Sequence, residues 1–348
     1  MRRALSAAVI AVLWLAAAPV RADVPSGSLA FLGGDYDTAV AKLETTAQVS
    51  QTSARAENLE DCYKGRSAHK AGHYDLAIAY QTRCIDQGAL TDDNLKAAYT
   101  RRGASYGRKG EYDQAIADYT AVIRLDPGNA FAYNNRGTAY HLKDEHDRAI
   151  QDFDRVIDLN PADPFAYDNR ANVYADMAEY EKAILDYTEA IRLDPGFANA
   201  YSNLGTTYDR MGEQKRAMKY YNEAIKLDPD NAVTYRNRGN GYFRRGEYGH
   251  AIQDYSEVIR LDGSDADVYS RRCKAHAVLG LAEDAMRDCE ESLRLRPDDP
   301  DTLDSRALAY WLLGEPDLAR SNLKRVRQID PSRPIWQERF RSFKGMFE

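Results

Sequence analysis

The chain has 348 residues, of which 44% are hydrophobic and 29% are charged. This balance excludes a disordered tail, a collagen and a protein with many membrane spans, because apolar residues are ample but dispersed. The 47 Lys and Arg against 54 Asp and Glu give a net charge of −7, so the broad positive field that captures nucleic acid is missing and we expect no nucleic-acid partner.

The first 22 residues have the pattern of a secretory signal peptide. Arg2 and Arg3 precede an apolar stretch, Ala4–Ala18, and small residues follow at positions 20 and 22. This stretch is shorter than the roughly 20 apolar residues that a permanent membrane span needs. We expect cleavage after Ala22, with Ala18 as the second choice and an uncleaved anchor as the alternative. The mature protein is then exported, periplasmic or secreted, with no permanent membrane span.

Proline-containing dipeptides recur every 34 residues through most of the chain, with Asp262-Gly263 in the single gap. They are Asp126-Pro127, Asn160-Pro161, Asp194-Pro195, Asp228-Pro229, Arg296-Pro297 and Asp330-Pro331. Length alone favours about two domains. A fixed period of 20 to 50 residues instead indicates one solenoid, in which each unit buries its apolar face against its neighbours.

Within each unit, apolar and small residues recur at helical spacing, which predicts two helices per unit. The unit that begins at Ala198 illustrates the pattern with Tyr201, Gly205, Tyr208, Ala217, Tyr221, Ala224 and Pro229. Most of the 24 tyrosines occupy four positions of the unit. The pattern resembles the tetratricopeptide repeat. This resemblance implies an all-α fold, a right-handed superhelical α-solenoid of about eight full helix pairs.

The spacing divides the chain into successive units. We predict a signal peptide at 1–22, a partial repeat at 23–57, full repeats at 58–95, 96–129, 130–163, 164–197, 198–231, 232–265, 266–299 and 300–333, and a capping helix at 334–348. The last segment places Ile335, Trp336, Phe340, Phe343 and Phe347 at helical spacing beside basic residues. A cap covers the open apolar face of the last repeat, and a membrane-surface helix is the alternative.

Position 7 of most units is basic where position 23 is acidic. The pairs are Arg102 with Asp118, Arg136 with Asp152, Arg170 with Asp186, Arg238 with Asp254 and Arg272 with Asp288. In the unit from Ala198 both change together, to Leu204 and Tyr220. Antiparallel helices bring these two positions face to face, so we predict an ion pair inside each repeat. Two independent solvated charges are the alternative.

The four cysteines fall into two units, at positions that the same antiparallel arrangement brings together. An even cysteine count in an exported protein favours disulfides over metal or catalytic thiols. We predict the bonds Cys62–Cys84 and Cys273–Cys289, each joining the two helices of one repeat. Four buried free thiols are the alternative.

The sequence contains no phosphate-binding loop, dinucleotide fingerprint or nucleophile elbow. His69 and His73, and the group of His141, Asp144 and His146, are weak candidates for a metal site because they lie at predicted turns between helices. Carboxylates recur at turn and surface positions of every repeat. We therefore expect no enzyme activity, no cofactor and no metal.

The resemblance implies that the first helices of the repeats line a concave groove that binds peptides or proteins. The candidate binding residues lie at position 6 (Asn135, Asn169, Asn203, Asn237), position 9 (Thr138, Asn172, Thr206, Asn240) and position 5 (Asn134, Asp168, Ser202, Arg236). A row of amides can pair with the backbone of an extended peptide. Alternatively, these side chains bond to neighbouring helices.

The sequence predicts a non-catalytic scaffold that binds a protein or peptide partner, most plausibly in a bacterial periplasm. One alternative is an accessory subunit of an envelope enzyme or transport complex, such as cell-wall or polysaccharide machinery. Carbohydrate binding through the tyrosine and asparagine surfaces ranks third. The sequence leaves the partner, the pathway and the oligomeric state open, including a homo-oligomer.

Overall fold

In a computed structural model, the described residues, 53–87 and 90–332, form sixteen helices and no strand. The first eight are α1 (Ser53–Lys70), α2 (Tyr74–Asp86), α3 (Asp92–Arg108), α4 (Tyr112–Leu125), α5 (Ala130–His141), α6 (His146–Leu159), α7 (Pro164–Asp176) and α8 (Tyr180–Leu193). The second eight are α9 (Ala198–Arg210), α10 (Gln214–Leu227), α11 (Ala232–Arg244), α12 (Tyr248–Leu261), α13 (Ala266–Val278), α14 (Ala282–Leu295), α15 (Pro300–Leu312) and α16 (Pro316–Ile329). The predicted signal peptide, most of the partial repeat and the predicted capping helix lie outside the described residues.

Consecutive helices pack in pairs, from α1 with α2 to α15 with α16, and we call these pairs repeats 1 to 8. Most first helices also contact the first helix of the next repeat, and each second helix except the last contacts the first helix that follows it. The first helices therefore line the inner side of the array. This arrangement confirms the predicted all-α solenoid. Helix α1 begins at Ser53, ahead of residue 58, where the spacing places the start of the unit.

Turn residues set where the helices begin and how the chain reverses. Asn129 caps α5 by accepting a hydrogen bond from the backbone N–H of Ala132 at 3.0 Å, and Asp163 caps α7 in the same way. In the turn between the two helices of a repeat, one residue adopts a left-handed conformation. Gly110 has a φ of 77° there, and Ala178 has 59° at the equivalent position; only glycine adopts this conformation without steric cost.

A small residue packed against an aromatic ring forms the core of most repeats. A Cβ built at Gly137 would lie 3.0 Å from Phe153 Cε1, and one at Gly239 would lie 3.0 Å from Tyr255 Cε1. Both rings are fully buried. Because the helices approach closely only where one side chain is absent, the aromatic residues of the repeat serve mainly in packing.

All five predicted ion pairs are present. In each, the arginine Nε and Nη2 donate to the two carboxylate oxygens of the aspartate at 2.6–2.9 Å. The remaining nitrogen, Nη1, donates to the second helix of the preceding repeat, as Arg136 does to Thr120 at 3.1 Å. Each arginine therefore joins three helices.

Both predicted disulfides are present. The Cα atoms of Cys62 and Cys84 are 5.2 Å apart, and those of Cys273 and Cys289 are 5.4 Å apart. All four cysteines are buried. Cys273 and Cys289 occupy the positions that hold glycine and an aromatic ring in other repeats, so this bond replaces a packing contact with a covalent one.

Candidate binding groove

The position-6 asparagines of repeats 4 and 5 bond to the preceding repeat. Asn169 Nδ2 donates to Asn134 Oδ1 at 2.9 Å, and Asn203 Nδ2 donates to Asp168 Oδ1 at 3.1 Å. Both asparagines are buried. In repeat 3, the buried Asn135 donates to the backbone oxygen of Phe131 at 2.8 Å. The amides of Asn169 and Asn203 thus join successive repeats, whereas Asn135 bonds within its own helix, and the role of all three toward a ligand stays a prediction.

The position-9 residues of repeats 3 and 4 are also buried. Thr138 Oγ1 donates to the backbone oxygen of Asn134 at 2.9 Å. Asn172 uses both ends of its amide, since Nδ2 donates to Asp168 Oδ2 at 3.2 Å and Oδ1 accepts from the Tyr187 hydroxyl at 2.7 Å. At position 9 of these two repeats, the Thr138 hydroxyl and both ends of the Asn172 amide are thus used within the solenoid.

The bond from a position-6 asparagine to position 5 of the preceding repeat is absent between repeats 5 and 6, because Ser202 is shorter than Asn134 and Asp168 at the same position. Its Oγ accepts from Thr234 Oγ1 at 3.1 Å. Asn237 Nδ2 donates instead to Thr206 Oγ1, at 3.4 Å. The longer side chains of Asn134 and Asp168 accept a hydrogen bond from the position-6 asparagine of the next repeat, whereas the shorter Ser202 does not. Asn237 therefore stays partly exposed.

Two amide atoms remain unused at this junction. Asn240 Oδ1 accepts from the Tyr255 hydroxyl at 2.8 Å. Its Nδ2, and the Oδ1 of Asn237, have no hydrogen-bond partner among the described residues. Both residues are partly exposed, so one acceptor and one donor are available to a ligand.

A cleft of about 400 Å³ opens at this junction, between α9 and α11. Its lining residues are Thr206, Asp209, Arg210, Tyr221, Asn237, Asn240 and Arg244. Three of the predicted binding residues, Thr206, Asn237 and Asn240, are among them. The Tyr221 hydroxyl donates to Thr206 Oγ1 at 3.2 Å and closes the floor of the cleft.

Charged side chains border the cleft. Arg244 Nη2 donates to Asp209 Oδ2, and 56% of the arginine side chain is exposed against 10% of the aspartate. Burial raises the pKa of Asp209, and the Arg244 guanidinium opposes part of that rise. Arg210 Nη1 lies 3.1 Å from Asp176 Oδ1 and is half exposed. The cleft can therefore donate hydrogen bonds to carboxylate or carbonyl oxygens.

Arg236, the last predicted residue at position 5, contacts the following repeat. Its Nη1 lies 3.3 Å from Asp265 Oδ2, and both side chains are partly exposed. The structure thus brings Thr206, Asn237 and Asn240 together in one cleft and places Arg236 at the next junction. The candidate residues of repeats 3 and 4 instead form hydrogen bonds within the solenoid.

Comparison with protein families found two tetratricopeptide repeat models, which match residues 100–164 and 198–231. A third model, described as TPR repeat, matches residues 172–212 and 239–280. The crystal structure of MamA is 30% identical in sequence over 49% of this chain and 96% of that chain, with a TM-score of 0.43. The chain belongs to the tetratricopeptide repeat family.

Two further solved structures share the fold. A tetratricopeptide repeat protein from Parabacteroides merdae is 19% identical, with 72% of this chain and 98% of that chain covered and a TM-score of 0.57. The APC/C hetero-tetramer Cut9–Hcn1 is 19% identical, with 92% and 63% covered and a TM-score of 0.54. A comparison with curated proteins gave no match.

Sequence reasoning did not single out three lining residues of this tetratricopeptide repeat protein, Asp209, Arg210 and Tyr221. Asp209 and Arg210 occupy positions 12 and 13, where the other repeats carry varied residues. That variation was the available signal, since the repeat itself does not dictate these positions. Tyr221 occupies one of the recurring packing positions, so the sequence gives no sign that its hydroxyl reaches the groove.

Two histidines of the weak metal candidates, His69 and His141, bond within the solenoid. His69 Nδ1 lies 2.8 Å from Ser105 Oγ, and burial lowers the pKa of His69 to about 4. His141 Nε2 lies 3.0 Å from Asp176 Oδ2. The described residues contain no group of three side chains arranged to hold a metal ion. Within the same ranges, every helix is too short or too polar to cross a membrane.

Asp168 connects repeats 4 and 5 of this tetratricopeptide repeat protein without a cation. Burial raises its pKa from 3.8 to about 6, and hydrogen bonds from Asn203 and Asn172 oppose part of that rise. The folded state therefore binds a proton between about pH 4 and pH 6 that the unfolded state has released. The contribution of Asp168 to stability is therefore most favourable below pH 4, falls across this window, and is lower by about 3 kcal/mol above pH 6.

Asp168→Asn should remove this pH dependence and raise stability at neutral pH, by up to about 3 kcal/mol. Asn203 can turn its amide so that Oδ1 accepts a hydrogen bond from the new side chain. Urea unfolding of wild type and variant at pH 4.5 and pH 7.5 measures the difference. Asp147→Asn, which removes an exposed charge on α6, is the control. Equal shifts for both variants at both pH values would contradict the assignment.

Proposed function

We propose that this protein is an exported, non-catalytic scaffold whose inner groove binds an extended segment of a partner protein. Stacked helix pairs create long concave surfaces of this kind, and tetratricopeptide repeats typically bind proteins or peptides. The observation that carries the proposal is the cleft between repeats 5 and 6, with an unused amide donor on Asn240 and an unused acceptor on Asn237.

A peptide backbone supplies the complementary groups. Its N–H can donate to Asn237 Oδ1 and its carbonyl can accept from Asn240 Nδ2, largely regardless of the peptide sequence. The half-exposed Arg210 and Arg244 then stand beside the bound segment. The amides thus favour an extended backbone, and the arginines favour particular side chains.

The two disulfides support the exported part of the proposal. Such bonds persist in oxidising compartments and are rare in the cytosol. Both join buried cysteines within one repeat. A periplasmic or secreted location provides the conditions in which they form.

A photo-activatable amino acid placed at position 244 should cross-link a partner protein, because Arg244 borders the cleft and is half exposed. The same group at position 114, on the outer helix α4, should not, since Gln114 is exposed on the opposite side of the repeat. Cross-linked bands in whole cells are compared by immunoblot.

Asn237→Ala together with Asn240→Ala should weaken recovery of that partner at least about tenfold, because both amide contacts are lost. Gln114→Ala is the matched control and should leave recovery unchanged. Circular dichroism checks that both variants fold. Equal recovery by all three proteins, or cross-linking from position 114 alone, would reject the groove as the binding surface.

A further inference from the structure

Four cations follow one another along the inner side of repeats 5 to 7. They are Arg210, Arg244, Arg271 and Lys274, and we call them the basic strip. The chain as a whole carries more acidic than basic residues, 54 against 47. The strip is thus a positively charged region on the cleft side of a chain whose net charge is negative.

Two members of the strip have anionic partners and two do not. Arg210 pairs with Asp176, and Arg244 pairs with Asp209. In the described part of the chain, Arg271 and Lys274 form no ion pair. Arg271 is exposed, and Lys274 Nζ lies 5.9 Å from the centre of the Phe243 ring. Repeat 7 therefore presents two uncompensated positive charges.

The strip and the cleft are continuous. Burial raises the pKa of Tyr255, and the positive charges of Arg271 and Arg244 both oppose part of that rise, so both lie near its hydroxyl. That hydroxyl donates to Asn240 Oδ1 inside the cleft. Arg244 thus lines the cleft with Asn240, and Arg271 acts on the tyrosine that bonds to this amide.

Packing does not account for the charges in repeat 7. Position 6 of repeats 3 to 5 holds buried asparagines, and position 9 of repeats 3 and 4 holds buried Thr138 and Asn172. Repeat 7 places Arg271 and Lys274 at these two positions. Where repeats 3 and 4 bury neutral polar side chains, repeat 7 carries cations toward the groove.

We propose that the basic strip selects an acidic segment, an extended peptide with carboxylates about three residues apart. Arg244 lies on α11 and Arg271 on α13, the first helices of consecutive repeats, and a spacing of about 10 Å between neighbouring helices is the span of three residues in an extended chain. One carboxylate would meet Arg244 and Asn240 in the cleft, in competition with Asp209, and the next would meet Arg271 and Lys274. This inference rests on the proposed binding of a peptide in the groove.

The probe is a fluorescein-labelled 12-residue peptide of alanine, serine and glycine with glutamates at positions 4, 7 and 10. Its control carries glutamines at the same positions. Fluorescence anisotropy with the full chain should show at least about tenfold tighter binding of the glutamate peptide at low salt, because charge-assisted hydrogen bonds replace neutral ones. Raising the salt concentration should reduce this difference.

Arg271→Gln together with Lys274→Gln should abolish the preference for glutamate. The matched control, Arg155→Gln together with Lys215→Gln, removes two exposed cations from the outer helices α6 and α10 and should keep the preference. If both variants lose it equally, net charge rather than the strip is responsible and the inference is wrong.

Selection from a random 12-residue peptide library separates this inference from the proposed function. Peptides that bind wild type but not the Asn237→Ala, Asn240→Ala variant, and that are rich in Asp and Glu, support both. Peptides with the same dependence on the two asparagines but without acidic enrichment overturn the inference and leave the scaffold function standing. If no selected peptide depends on the asparagines, both proposals fail.

Discussion

Arg136→Leu should lower the free energy of unfolding by about 3 kcal/mol, because it leaves the Asp152 carboxylate buried without its cation. The two side chains are 17% and 6% exposed. Burial already raises the pKa of Asp152, and Arg136 opposes part of that rise. The substitution also removes the hydrogen bond to Thr120 in the preceding repeat.

Repeat 5 provides a compensating change for this variant. There, Leu204 and Tyr220 occupy the positions of the ion pair, Leu204 is 1% exposed, and the Tyr220 ring stacks on Tyr208 at 5.4 Å. Asp152→Tyr added to Arg136→Leu should recover most of the lost stability, because no buried charge remains. Repeat 3 has the equivalent stacking partner in Tyr140.

Urea unfolding followed by circular dichroism compares the two single variants, the double variant and wild type, and the double-mutant cycle gives the coupling energy. Arg155→Leu, an exposed change in the same repeat, should shift stability by no more than about 0.5 kcal/mol. A double variant as unstable as the sum of its two single variants would show that the pair is not coupled.

Loss of the Cys273–Cys289 bond should have the second large effect. The bond closes a sequence separation of 16 residues, and a loop of this size corresponds to about 3 kcal/mol in the chain-entropy account. Reductant should therefore lower the urea midpoint of wild type by more than that of variants without these two cysteines, in which only the Cys62–Cys84 bond remains to be reduced.

Two variants separate the covalent bond from the packing around it. Cys273→Gly with Cys289→Phe reproduces the contact of Gly137 with Phe153, so it should lose only the cross-link. Cys273→Ala with Cys289→Ala leaves part of the space empty and should lose a further 1–2 kcal/mol or so. If the glycine and phenylalanine variant is as stable as oxidised wild type, the bond adds nothing to stability.

Within one repeat, the sequence by itself determined the contacts. The pairs at positions 7 and 23, and the pairing of all four cysteines, follow from two antiparallel helices joined by a short turn. The turn fixes the register of the two helices, so positions can be matched by counting. The substitution of Arg and Asp by Leu204 and Tyr220 together is a signal of contact that survives in a single sequence.

Between repeats, only the tertiary structure decided which polar groups are used. The asparagines at position 6 look alike in sequence, yet Asn169 and Asn203 are buried in bonds to the preceding repeat and Asn237 lines a cleft. The outcome depends on the length of the position-5 side chain facing each one and on the rotation between repeats. Neither is encoded in the helical period, so asparagines that look equivalent in sequence divide into those bonded to the preceding repeat and Asn237, which lines the cleft.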